Sequence, residues 1–291
     1  MNPAPSVIIF TALSGLGFGL MVFLGLGMPD VSGWVAFIFV AIAYALSGGG
    51  LLASLFHLGH PERFLKAFTQ WRSSWLSREG ILSIATMGIF GIYALIWIFM
   101  DTRIPALGII AAALSVLTIF STAMIYAQMK SVPRWNTPLT PILYLLYGLA
   151  GGALLASQVA IAGWLMLALI ATQLITWVEG DKAFAKTGSD TGTATGLGFL
   201  GKVRLLEKPH TGTNYLLTEM AYVIGQKHIL KLRIIALALG SVFPAILLLL
   251  LDAGHMVALV VILFHLVGLF AQRWLFFAEA EHVVGLYYGQ R

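Results

Sequence analysis

Residues 33–56, GWVAFIFVAIAYALSGGGLLASLF, run for 24 positions without one charged side chain. As a helix rising about 1.5 Å per residue, such a run matches the roughly 30 Å hydrocarbon thickness of a bilayer. Comparable runs recur along the sequence. They predict transmembrane segments at about 7–27, 33–56, 81–100, 105–129, 138–160, 162–178, 233–252 and 256–278. The composition agrees, with 59% hydrophobic residues, 10% charged residues and a mean hydropathy of +0.91. A water-soluble domain carries about 25% charged residues. The expected fold is therefore all-α: a polytopic membrane protein, one domain spanning 1–291, built as a bundle of eight transmembrane helices. The turn between the fifth and sixth helices is expected at Ala162 and Gly163, and Pro244 is expected to kink the seventh. Residues 1–6, MNPAPS, lack a basic leader, so the first run is read as a span that is kept.

Charge asymmetry sets the predicted orientation. With eight spans, the termini and even-numbered connections share one side, which holds 16 of the 17 basic residues; Arg103 stands alone on the other. Positive charge collects on the cytoplasmic side, so both termini are expected in the cytoplasm. The segment 179–232 is expected to be a cytoplasmic loop. Its first half is Gly- and Thr-rich, and its second half has helical amphipathic spacing, read as a helix lying on the lipid surface or docking a soluble partner.

Polar chemistry gathers in 57–80, HLGHPERFLKAFTQWRSSWLSREG, which holds His57, His60, two glutamates, four basic residues and two tryptophans. His57 ends one predicted span and Glu79 begins the next, so both belong near one membrane face. Arg273, in the last span, falls toward that same face. An imidazole, a carboxylate and a guanidinium at one depth of a bundle suit proton handling. Oxidation of a quinol releases two protons with two electrons; a histidine accepts a proton near neutral pH, and a carboxylate shielded from water can relay another. Trp71 and Trp75 could pack against a quinone ring. Each residue also has a plain structural role open to it: a solvated helix end for His57, a capping box with Ser77 for Glu79, positive-inside topology for Arg63, Lys66, Arg72 and Arg78, and interface anchoring for the tryptophans.

Other chemistries are disfavoured. There is no cysteine, so the protein offers no thiolate ligand to zinc or an iron–sulfur cluster. Bis-histidine haem needs paired histidines within spans, and only His265 lies well inside one; it reads as a core residue hydrogen-bonded to a neighbour. No nucleotide-binding glycine pattern occurs in a strand–helix setting, and nothing points to nucleic acid. A transporter would place ionisable groups near the midplane of both halves, where this sequence has almost none. A purely structural anchor stays open as a further reading.

HLG-x-P-x-R at 57–63 with LS-x-E at 76–79, together with SVIIFTALSGLGFGL at 6–20, VPRW at 132–135 and Arg273 in the last span, resembles the membrane anchor subunits of the dimethyl sulfoxide reductase family. The long 179–232 segment and EMAYVIGQKH look closer to anchors of sulfite-oxidising relatives. The resemblance implies an anchor that exchanges electrons between the quinone pool, menaquinone or ubiquinone, and a four-cluster iron–sulfur subunit. That subunit serves a molybdopterin catalytic subunit; the anchor itself carries no haem, metal site or cluster and no catalytic residue of its own. The implied quinone-binding and proton-relay residues are His57, Glu79, Arg273, Trp71 and Arg78, with Arg63, Lys66 and Arg72 docking the partner.

Overall fold

The computed structural model describes residues 2, 4–56, 60–207, 209, 210, 212, 214, 216, 220, 228–251 and 255–289, without the side chains of Pro61, Arg63 and His255. His57 and most of the expected surface helix before span seven therefore lie outside the described residues.

Among the described residues there are eight apolar helices: α1 (Pro5–Gly25), α2 (Gly33–Leu55), α3 (Trp75–Met100), α4 (Pro105–Ala127), α5 (Leu139–Leu155), α6 (Val159–Lys186), α7 (Ile229–Leu250) and α8 (His255–Ala278). Seven are long and apolar enough to cross a bilayer; α5, at 17 residues, is shorter. Proline sets the first turns of α1 and α4, where its missing N–H removes no helical hydrogen bond.

Three boundaries differ from the expectation. α3 begins six residues early, at Trp75, because Ser74 caps it and accepts from the Ser77 amide at 3.4 Å. α6 continues to Lys186, its last two turns carrying Glu179, Asp181, Lys182 and Lys186 beyond the apolar stretch. The α5–α6 turn falls at 156–158, where Ser157 adopts φ 58°. Gly163 sits inside α6 instead, where a Cβ would come within 2.6 Å of Leu249. Its smallness serves packing, not a turn. In α7, a π-helical stretch, Ala238–Val242, ends two residues before Pro244, widening the helix where proline removes a backbone donor.

α1 is the centre of the bundle, buried along most of its length. In lipid there is no hydrophobic force between helices, so close approach of small residues has to supply the packing. A Cβ on Gly19 would lie 1.9 Å from the Gly148 carbonyl oxygen, and one on Gly152 2.2 Å from the Gly19 carbonyl carbon. Gly25 and Gly108 make an equivalent contact between α1 and α4, as do Gly17 and Ser47 between α1 and α2. On the face away from most of the basic residues, Arg103 donates to the carbonyls of Gly27 (3.0 Å), Pro29 (3.0 Å) and Val31 (2.7 Å), pairs with Asp30 and stacks on Trp97. It ties the α1–α2 and α3–α4 turns together.

Gly19→Leu is expected to destabilise the bundle by about 1–3 kcal/mol or more, lowering the thermal midpoint in detergent. Gly49→Ala, whose Cβ meets open space, is expected to leave it unchanged.

Candidate functional site

The segment that leads into α3 is folded against its first turn. Pro61–Gln70 forms a 3₁₀ helix, the Ser77 hydroxyl donates to the Ala67 carbonyl, and Phe68 covers Gly80. Arg78 closes the loop: Nε donates to the Trp71 carbonyl at 2.9 Å, Nη2 to the Arg72 carbonyl at 2.7 Å, and the guanidinium lies 4.3 Å from the Trp75 ring centroid. This clamp sets the rotation of α3. With Arg78 turned outward, the neighbouring Glu79 faces inward and is only 4% exposed. Its carboxylate accepts from the Thr122 hydroxyl of α4. The helix cap is Ser74, which frees Glu79 from that role.

Arg273 of α8 is 1% exposed. Its guanidinium carbon lies 3.7 Å from the Tyr144 ring centroid and 5.3 Å from that of Tyr147, both on α5. Nε and Nη1 have no acceptor among the described residues, and neither has the Tyr144 hydroxyl a partner. A cation buried without hydrogen bonds costs several kcal/mol, and cation–π stacking offsets only part of that. These groups line a narrow cleft of about 10 Å³, together with Thr11, Ser14 and Gly15 of α1 and Ile119 and Thr122 of α4. Gly15 is the one glycine of α1 inside the membrane whose Cβ would meet nothing within 4 Å. Thr122 thus belongs both to this cleft and to Glu79, and it joins the carboxylate to the site of the unpaired guanidinium. The arrangement leaves two N–H groups and a hydroxyl free to donate, with a carboxylate one hydroxyl away.

The remaining residues named from the sequence are placed as follows. Trp71 is 52% exposed beside Arg72, and Lys66 is exposed on the same outer surface. Arg63 has its backbone in the 3₁₀ helix. His57 lies outside the described residues. Glu79 is thus linked to the Arg273 cleft only through Thr122, and Trp71, Arg78, Lys66 and Arg72 lie toward the outer surface. His265 is buried, with Nδ1 2.6 Å from the Gly240 carbonyl, as expected for a core histidine.

Sequence reasoning missed Tyr144, Tyr147 and Thr122, and also a four-member ionic network at the same face. Arg134 bonds Asp181 (2.5 Å) and Glu279 (3.1 Å); Arg233 bonds the same two acids at 2.6 to 2.8 Å. The network joins the α4–α5 turn to the ends of α6, α7 and α8. Its signal was the pairing of scarce acids with basic residues that were read only as topology markers. Beneath it, Trp135 stacks on Phe276 and donates to that residue's carbonyl at 2.9 Å.

Against known proteins, residues 1–279 match the family model described as DMSO reductase anchor subunit (DmsC). The protein is 30% identical to the C subunit of sulfite dehydrogenase from Allochromatium vinosum, over 99% of both sequences. It is 28% identical to the C polypeptide of anaerobic dimethyl sulfoxide reductase from Escherichia coli, over 52% of its own length and 55% of that relative's. The corresponding polypeptide of Haemophilus influenzae is also 28% identical, over 47% and 56%. No solved structure matches.

Glu279, 3% exposed, accepts from two arginines. Glu279→Ala is expected to cost about 1–3 kcal/mol by removing one of the two acids that Arg134 and Arg233 share, read as a lowered thermal midpoint of the purified protein.

Proposed function

The protein belongs to the DMSO reductase anchor subunit family, and from that premise we propose that it exchanges electrons between a membrane quinone and an iron–sulfur subunit docked on its basic face. The observation that carries this reading is the buried cleft at that face, with Glu79 and Thr122 on one side and the unpaired Arg273 guanidinium and Tyr144 hydroxyl on the other. A quinone has the matching chemistry: an apolar ring and tail with two oxygens that accept hydrogen bonds when oxidised and carry protons when reduced. Arg273 and Tyr144 donate to one oxygen. Glu79, oriented by Thr122, exchanges a proton at the site, with His57 of the preceding connection as its partner. Arg78 is a positioning residue that sets the phase of α3, and Trp71 borders the site.

The exchange is two electrons and two protons per quinone. Electrons pass singly to the cluster-bearing subunit, which needs the site near the docking surface; Arg63, Lys66 and Arg72 provide positive charge there. A molybdopterin subunit beyond it holds the substrate chemistry. The full-length similarity to the sulfite dehydrogenase relative favours a complex that oxidises sulfite and delivers electrons to quinone. Both termini and the 179–232 connection are assigned to the cytoplasmic side of the inner membrane, in one membrane domain.

Isolation in mild detergent is expected to bring down molybdenum- and iron-containing partners. In that complex, Glu79→Gln is expected to slow quinone-coupled turnover about 10²-fold or more, the usual contribution of a positioned acid–base group, without loss of partners. Turnover at the wild-type rate in an intact complex would end the assignment.

A further inference from the structure

A cavity of about 290 Å³ opens at the basic face, between the α4–α5 turn and the end of α6. It shares no lining residue with the Arg273 cleft. Three cations in its wall, Lys130, Arg134 and Lys186, face one acid, Glu179. Arg134 is already committed to Asp181 and Glu279. Lys130 is exposed, and its ammonium has no partner among the described residues. Lys186 bonds Glu179 and keeps two further N–H groups. The Thr137 hydroxyl accepts from the Leu139 amide at 3.3 Å, so its proton is free to donate. Two acceptors also remain. The Asn136 amide nitrogen donates to the Ala127 carbonyl at 2.6 Å, which leaves its side-chain oxygen, and Glu179 keeps the carboxylate oxygen that Lys186 does not hold.

The depth of the cavity narrows its ligand. The apolar run of α6 ends at Val178, which is 54% exposed, and Ile175, 52% exposed, lies one turn below Glu179 on the same side. Glu179 and Ala183 stand one and five residues past Val178, about 1.5 and 7.5 Å along the helix axis. The headgroup layer on each side of a bilayer is roughly 5–8 Å deep. The cavity therefore lies in that layer, with lipid-facing apolar side chains beneath it. An acidic segment of a docked subunit would come from above the layer and make no use of that apolar flank.

We propose that the cavity binds the headgroup of an anionic glycerophospholipid of the surrounding bilayer. The phosphate is held by Lys130, Lys186 and Thr137, and hydroxyls of a glycerol head donate to Asn136 and Glu179. The acyl chains run down past Ile175. Basic pockets between spans suit such headgroups, whereas a choline head brings a second cation up against Lys130. Bound there, the lipid ties the α4–α5 turn to α6 from the membrane side, as the Arg134–Asp181 pair does from within. The site stands independently of the quinone reading.

The test titrates phosphatidylglycerol into the protein, isolated in mild detergent with its partners and stripped of loosely held lipid, and counts bound lipid by native mass spectrometry. Wild type is expected to retain phosphatidylglycerol about tenfold more tightly than phosphatidylcholine. Lys130→Gln, which breaks no contact in the structure, is expected to remove most of that preference, since it deletes one charge-assisted hydrogen bond to the phosphate. Ala183→Trp fills the cavity without altering a charge and is expected to abolish the binding. Equal retention of the two lipids by wild type, or undiminished preference in Lys130→Gln, would overturn the site. Displacement of the lipid by an equal concentration of glycerol phosphate would show a free-anion site, and release of the partner subunits by Lys130→Gln would show an acidic protein segment there; either result overturns the lipid assignment. The readout needs no turnover, so it is decided whether or not quinone is the redox partner.

Discussion

Close backbone contact at the glycines of α1 is the interaction on which the rest of the bundle depends. Lipid tails and leucines are equally apolar, so nothing squeezes these helices together except contact itself. Where Gly19 meets Gly148 and Gly152, and Gly25 meets Gly108, α5 and α4 are drawn onto α1 at fixed depth. That sets the levels of Thr122 on α4 and Tyr144 on α5, and so defines the cleft into which α8 delivers Arg273. Gly15 belongs to the same helix and the same stripe of small residues, yet its open side is what leaves the cleft unfilled. One helix thus supplies both the tightest contacts and the gap.

Charge is then handled by two different solutions at one face. Arg134, Arg233, Asp181 and Glu279 satisfy one another and pin the ends of four elements. Arg273 is held instead against two tyrosine rings with donors left over. A closed network stabilises; an open one leaves hydrogen-bonding capacity for something else. The contrast within a few residues of the same helix distinguishes a girdle from a site.

The eight helices were legible because hydrocarbon tolerates little besides long apolar helices. Their ends were less so. Trp75 and Glu179 lie where helix continues past the apolar run, and hydropathy sees only the run. Gly163 resembled a turn and is a packing residue, whereas Ser157, with its positive φ, marks the turn. Glu79 and Arg273 stood out because charge within spans is rare. Thr122, Tyr144 and Tyr147 did not, since uncharged polar residues in apolar helices reveal nothing about which neighbour they face. Arg78 reads from the sequence as a topology marker or, by the resemblance, a quinone-site residue; its contacts are to backbone carbonyls brought near only by the loop's path.

The position of Arg273 has an electrical consequence. It stands five residues before the end of α8 at Ala278, about 8 Å along the helix at 1.5 Å per residue. That is roughly a quarter of the hydrocarbon thickness. A charge moving between that level and the nearer aqueous phase therefore crosses only about a quarter of the transmembrane voltage, ~0.6 kcal/mol at 100 mV against about 2.3 for the full distance. Charge transfer across that short distance is nearly indifferent to how strongly the membrane is energised.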